Sequence, residues 1–398
     1  MKVVKYHWFV VLFICGCLFL EAETQPKICL NMIVKDEAGV IERCLESVLP
    51  MIDYLVIVDT GSTDGTQEKI KTFMKRRGVE GELYQRPWVN FGQNRNEALE
   101  LAKGKGDYLF FIDADEYLVF DKEFIRPSLT KDYYYITILH SNTQYGRIQL
   151  AKSSLNWSWE GVLHEYLCCR EAGSFATLNG IKTIYTYEGA RSKDPDKYKK
   201  DAATLERALL QDPDNHRYRF YLAQSYRDAL DYEKALDSYQ KRVRLGGWDQ
   251  EMFYSLLQIA AIKELLNYDS EECIESYLQA FLYRPSRSEP LYRMVNLFRR
   301  KREFEKGYKL AEIASTISRP SDVLFVEDWV YDYGIDLERS ICAYWMGNYQ
   351  ECQDICLQIL GKSDLPESVR DCVTRNLEFS NSRLAELVVR GSDLIEKN

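Results

Sequence analysis

Two strand–turn–helix units in succession constrain the fold of this chain most. Ile28 to Val34 is an apolar run with Asn31 as its polar member, and it reads as a buried strand. Lys35-Asp36-Glu37-Ala38-Gly39 is a turn. Val40 to Val48 predicts a short helix with Val40, Ile41, Cys44, Leu45 and Val48 on one stripe, ended by Pro50. Tyr54 to Val58 predicts a second strand, and a second helix runs from Gln67 to about Arg77. Repeated units of this kind build a parallel sheet covered by helices. Ligands bind beyond the carboxyl ends of such strands. Glu82-Leu83-Tyr84 predicts a short strand, Trp88 to Asn96 a polar connection, and Glu97 to Ala102 a helix.

The next strand, Leu109-Phe110-Phe111-Ile112, runs into Asp113-Ala114-Asp115-Glu116. On a continuing strand Asp113 and Asp115 point the same way. Converging carboxylates repel unless positive charge lies between them. A divalent cation bridging to a phosphate supplies that charge; a solvated acidic turn is the plainer alternative.

Asp59 sits where the second strand ends and can accept hydrogen bonds from a base or ribose. Gly61 and Gly65 permit a tight turn, and Thr63 or Asp64 is expected to cap the following helix. The spacing is neither a dinucleotide fingerprint nor a P-loop. Arg95, near a helix start, suits a phosphate, with pairing to Glu97 or Glu100 as the alternative. Tyr133 to Leu139 and Arg147 to Leu150 predict further strands. Trp157-Ser158-Trp159-Glu160-Gly161-Val162-Leu163-His164-Glu165 forms a second chemical centre. Imidazole is a normal third ligand beside carboxylates for Mn²⁺ or Mg²⁺, and Glu165 can take a proton from an acceptor hydroxyl. Trp157 and Trp159 either stack on a sugar or pack in the core.

Residues 28 to about 190 resemble a family 2 glycosyltransferase with the GT-A fold. The resemblance lies in Leu30 to Glu37, Asp59 to Thr66, Asn90 to Asn96 and Asp113 to Glu116, in that order. The Val162-Leu163-His164-Glu165 segment resembles the close of the catalytic domain in a bacterial-type branch. The resemblance implies transfer of a sugar from a nucleotide diphosphate donor with a divalent metal, usually with inversion. It assigns Asp59 to the nucleoside, Asp113 to the ribose or metal, and Asp115 to the metal. His164 is expected near the metal and diphosphate, and Lys35, Glu37 and Arg95 on the donor side. The aspartate pair that many members use as base is absent, and Glu165 takes its place in this reading.

From Tyr198 onward the pattern is helical. Asp231-Tyr232, Asn267-Tyr268 and Glu303-Phe304 recur at intervals of 36, and Asn348-Tyr349 follows after 45. This resembles stretched tetratricopeptide repeats, which stack helix pairs. The expected organisation is therefore an α/β GT-A-type domain at 27–190, with a mostly parallel central sheet, and an all-α helical-repeat domain at 191–398. The repeats offer a surface for a protein, glycan or lipid-linked acceptor, or for a homodimer. The other functional classes are an inactive GT-A-like binding protein acting through its repeats and a metal-dependent nucleotidyltransferase or sugar-phosphate hydrolase. The formal net charge of −9 argues against a nucleic-acid partner.

Lys2 and Lys5 precede an apolar run from Trp8 to Leu20, so residues 1–26 read as a signal peptide or membrane anchor. That favours the secretory pathway or a membrane-anchored domain, including one facing the cytosol. Eleven cysteines without C-x-x-C spacing read as small buried hydrophobes rather than a disulfide framework.

Overall fold

The computed structural model describes residues 25–140 and 143–395. The anchor or signal reading of residues 1–26 falls almost wholly outside them. Among the described residues no helix is long and apolar enough to cross a membrane. The chain divides into two compact units. One comprises the described residues up to Glu160 together with Tyr166–Lys193; the other comprises Gly161–Glu165 and the described residues from Asp194 onward.

The first unit is built on an eight-stranded sheet of order β3-β2-β1-β4-β7-β6-β10-β5. The strands are β1 (Ile28–Val34), β2 (Tyr54–Asp59), β3 (Gly81–Gln85), β4 (Tyr108–Phe111), β5 (Tyr117–Phe120), β6 (Tyr133–His140), β7 (Thr143–Lys152) and β10 (Phe175–Ile184). A separate antiparallel pair is formed by β8 (Ser158–Glu160) and β9 (Tyr166–Cys168). The pairs β1–β2, β1–β4, β2–β3 and β6–β10 are parallel, which makes the sheet mostly parallel.

Strand alternation sorts the core onto two faces. Ile28, Leu30, Met32 and Val34 of β1 pack with the buried stripe of α1 (Ile41–Val48) and with Ile70 and Phe73 of α2 (Thr66–Arg77). Cys29 faces the other way, with Val56, Leu109 and Phe111, toward Leu99 and Ala102 of α3 (Phe91–Ala102). Asn31 is tolerated on that buried face because its amide donates to the Ala98 carbonyl at 2.8 Å.

Helix α3 begins at Phe91, within the segment expected to be a connection. Asn90 caps it by accepting the Gln93 N–H at 2.8 Å. Asn94 is buried and bonded to Val89 N–H and the Pro87 carbonyl, so a polar residue serves as packing.

The second unit is a tetratricopeptide-like array. Its helices are α4 (Lys197–Gln211), α5 (His216–Asp228), α6 (Tyr232–Leu245), α7 (Asp249–Leu265), α8 (Ser270–Tyr283), α9 (Glu289–Arg300), α10 (Phe304–Ser315), α11 (Ile335–Trp345), α12 (Tyr349–Leu360) and α13 (Glu367–Ile395). Each packs mainly on its neighbours in sequence, as a solenoid requires. Alanines at the crossings, Ala260, Ala280, Ala311 and Ala314, let the helices approach.

The turns inside the pairs share one geometry. Leu230, Asn267, Arg302 and Gly347 all adopt left-handed backbone. The next residue's N–H then reaches back to close the preceding helix: Asp231 to the Tyr226 carbonyl, Tyr268 to Lys263, Glu303 to Phe298 and Asn348 to Ala343, all within 3.0 Å. The equivalent positions are thus 231, 268, 303 and 348. The Asn267-Tyr268 pair stands one residue out of register with the other three. Among the nine described cysteines, six are buried, in keeping with packing rather than cross-linking.

Candidate active site

Strand order reverses at β1, which is flanked by β2 on one side and β4 on the other. A crevice opens at such a point beyond the carboxyl ends of the strands. Three loops end there: Lys35–Gly39 after β1, Thr60–Gly65 after β2, and Ile112–Glu116 after β4.

The first two loops are clasped together. Asp36 has φ +55° and accepts the Thr63 N–H at 2.8 Å, while its own N–H goes to Ser62 Oγ at 2.8 Å. Glu37 N–H donates to Thr66 Oγ1, and Ala38 N–H to Asp64 Oδ2. Gly65 is the N-cap of α2, and Asp64 accepts the Thr66 N–H at 3.0 Å. Asp64 therefore serves the helix start, whereas Thr63 reaches across to Asp36. Lys35 is exposed beside this clasp.

Asp59 is fully buried. Its Oδ1 accepts from the N–H groups of Gly61 and Ser62 and from Gln67 Nε2, at 2.9–3.0 Å. Its Oδ2 is buried and has no hydrogen-bond partner among the described residues. A buried acceptor left open is costly, and it points to a donor supplied from outside.

The β4 strand stops at Phe111, so Asp113 and Asp115 do not share a strand face as expected. A turn brings them together, closed by Glu116 N–H to the Asp113 carbonyl at 3.1 Å. The cause is Glu116, which is buried. Its Oε2 accepts the Asp113 N–H and pairs with Arg147, folding the chain back. Glu116 Oε1 is buried without a hydrogen-bond partner among the described residues.

Four carboxylates thus gather with few cations. Burial opposes ionisation of Asp113, but Arg95 at 2.6 Å and Arg147 at 3.7 Å overrule it and hold the carboxyl below its usual range. Burial pushes Glu116 up against the pull of Arg147. Burial, then the charges of Asp113 and Glu116, push Asp115 up to about 6. Burial and the Asp115 charge push Glu37 up to about 7, although the Ala190 N–H favours its ionised form. Arg147 was not among the sequence candidates. A charge at the start of the strand expected from Arg147 to Leu150, which lies inside β7, was the available signal.

Raised carboxyl groups make folding pH-dependent. Between 4.5 and about 7 the folded Glu37 binds more proton than the unfolded chain, so its contribution to stability falls as pH rises through that window. Glu37→Gln is expected to flatten the decline of the thermal midpoint of metal-free protein between pH 5 and pH 8. An unchanged slope would show that Glu37 is relieved by other groups.

The remaining candidates occupy defined places. Arg95 lies between Asp113 and Trp159, its guanidinium 4.9 Å from the indole. Trp159 packs edge-on to Phe111 at 5.4 Å, and its N–H and carbonyl bond Asn96. Trp157 packs against Tyr133 and donates to the Lys152 carbonyl. Both indoles are thus engaged in packing. His164 and Glu165 belong to the segment that packs with the helices. His164 has φ +51°, stacks on Tyr221 of α5 with centroids 4.0 Å apart, and accepts from Arg217 at its carbonyl.

Residues 29–144 match the family model for Glycosyl transferase family 2. Over this stretch the chain is similar to family 2 glycosyltransferases. It holds β1 to β6, the clasp and all four clustered carboxylates. A TPR repeat-containing protein of Synechococcus elongatus is 33% identical over 140 residues, covering 34% of this chain and 32% of that protein. The SPbeta prophage-derived glycosyltransferase SunS of Bacillus subtilis is 23% identical over 247 residues, 56% of each chain. The chain thus spans between a third and about half of these relatives. The crystal structure of a tetratricopeptide repeat protein from Parabacteroides merdae aligns with a TM-score of 0.36 at 16% identity, covering 50% of this chain and 72% of that one.

Proposed function

We propose that the transferase domain moves a sugar from a nucleotide diphosphate sugar to an acceptor, using Mn²⁺ or Mg²⁺ and inverting the anomeric centre. The observation that carries this is the gathering of Glu37, Asp113 and Asp115 at the strand-order reversal, beside a β2 that ends in the half-satisfied carboxylate of Asp59. The open Oδ2 of Asp59 suits an N–H of a nucleobase. Asp113 and Asp115 suit a cation, because Asp115 carries more negative surroundings than its neighbours offset. Among the described residues no three acidic, histidine or cysteine side chains form a site able to hold an ion alone. The fit is to an ion completed by phosphate oxygens, the usual arrangement for Mg²⁺ with one or two carboxylates. When bound, such an ion offsets charge on the leaving diphosphate.

Arg95 keeps Asp113 ionised and directed. His164 as a further ligand and Lys35 at the donor rest on the sequence resemblance, and Glu165 as base and Trp157 and Trp159 at the sugar or acceptor on residue chemistry alone; they complete the proposal. The acceptor class is a protein, glycan or lipid-linked sugar, with the helical repeats as the surface for a protein partner or a second copy.

The test is a panel of nucleotide diphosphate sugars incubated with the full chain and Mn²⁺. One donor is expected to release its nucleoside diphosphate slowly, with chelation stopping the release. Pyrophosphate as product would point instead to nucleotidyl transfer. Absence of both release and metal-dependent donor binding, across the panel, would sink the reading.

A further inference from the structure

We propose that Thr186–Arg191, the strap that follows β10, sets the geometry of the donor site, with Gly189 and Thr186 as positioning residues for Asp115. The proposal rests on the transferase reading and adds Thr186 and Gly189, which neither the sequence motifs nor the family match single out; the strap lies beyond residue 144, where that match ends.

The strap grips the acidic loop at several points. Thr186 Oγ1 donates to the Asp115 carbonyl at 2.7 Å and accepts from Arg43 at 3.2 Å. Arg43 reaches the same carbonyl at 3.4 Å and pairs with Glu188 on the strap. The Asp115 backbone is thereby fixed from outside its own loop. Its side chain is fenced by Gly189. A β-carbon at 189 would lie 2.7 Å from Asp115 Oδ2 and 3.0 Å from both Cβ and Cγ. Real β-carbons essentially never sit 2.7 Å from an oxygen, and 3.0 Å is a tight contact, so a side chain at 189 makes the Asp115 carboxylate shift. The next N–H, of Ala190, faces both Glu37 oxygens at 3.3 and 3.4 Å. The guanidinium of Arg191 lies 4.5 Å from the Phe91 ring at the start of α3, and its charge favours ionised Asp113. One short segment thus touches Asp115 and Glu37 directly and bears on Asp113. A carboxylate that shares a cation with a diphosphate must be aimed to within a fraction of an ångström, since about 1 Å of misplacement can cost about a hundredfold.

The experiment measures calorimetric binding of UDP, GDP and CDP, each with Mn²⁺, to the full chain and its variants. Gly189→Ala is expected to weaken Mn²⁺-dependent binding by about tenfold or more while moving the thermal midpoint by less than about 2 °C. Gly173→Ala is the matched control, because a β-carbon there meets nothing within 4 Å; binding should be unchanged. Thr186→Val should weaken binding and Thr186→Ser should restore it, which a merely structural role for the side chain would not produce. Should Gly189→Ala fail to fold, the Thr186 pair decides. Wild-type affinity in Gly189→Ala, or equal losses in Thr186→Val and Thr186→Ser, would overturn the strap's role. A wild-type chain that binds none of the three diphosphates would overturn the transferase reading, and the strap's role with it.

Discussion

Asp115→Asn is expected to reduce nucleoside diphosphate release by about 10³-fold and, at the same time, to stabilise the metal-free protein. The loss follows from the chemistry assigned to this residue, since an amide offers a cation a neutral oxygen where the leaving diphosphate demands charge compensation. The gain follows from the surroundings. Burial and two neighbouring carboxylates push Asp115 up to about 6, so at pH 8 its negative charge is held against the field of Asp113 and Glu116. Asparagine has nearly the same shape, fits under Gly189, and leaves the backbone bonds from Thr186 and Arg43 in place. Removing a strained charge without a cavity raises the thermal midpoint by about 2–4 °C per kcal/mol gained. Mn²⁺ should stabilise the wild type and fail to stabilise the variant, because only an ion that binds the native state shifts its unfolding.

Asp113→Asn supplies the contrast. It removes one carboxylate charge from beside Arg95 and Arg147, the latter keeping Glu116, so activity and stability should fall together. Scanning calorimetry at pH 8 without metal, run beside the release assay, separates the two. A midpoint that drops in Asp115→Asn would mean the acidic loop is held by that carboxylate rather than strained by it.

These opposed effects also explain which parts of the site were legible in the sequence. β1 and β2 are set by continuous apolar runs and α1 by apolar residues at helical spacing, and their bounds lie close to those the pattern predicts. The acidic loop breaks the pattern. Ile112 extends the apolar run by one residue, but a buried Glu116 paired with Arg147 ends the strand first. That ending depends on a partner 31 residues away, which no window on the sequence contains. Helix α3 starts early for a similar reason: Asn94 and Asn96 are polar in composition yet act as packing residues through bonds to Pro87, Val89 and Trp159. The role of Gly189 was invisible, because it matters only for the side chain that another loop brings to it.

The helical unit gives the second large effect. Arg287→Met is expected to destabilise that unit by about 3–5 kcal/mol, the cost of leaving buried charge without its partner. Arg287 is fully buried at the entrance to α9, beside the Phe253 ring. It pairs with Glu289 at 2.8 Å and Asp322 at 3.1 Å, and donates to the carbonyls of Leu324 and Phe325. Glu289 in turn accepts from Tyr331 and from the Glu327 N–H. Asp322, Leu324, Phe325 and Glu327 all lie in the long connection between α10 and α11, where the repeat spacing lengthens. That insertion carries backbone carbonyls into the interior, and a guanidinium with five donors satisfies several of them at once. Methionine keeps much of the volume and none of the donors. The variant therefore takes the buried cation from Glu289, which keeps Tyr331 and the Glu327 N–H, and from Asp322, which keeps Arg284, and it removes the donor to two carbonyls; urea unfolding followed by helical circular dichroism should show an earlier midpoint. Adding Glu289→Gln should recover part of the loss, because the pair is coupled through direct contact. Lys309→Met, which breaks the exposed pair with Glu305, should leave the midpoint in place. A midpoint for Arg287→Met that matches the Lys309 control would mean the long connection is held by its apolar contacts, with the buried ion cluster carried as a passenger.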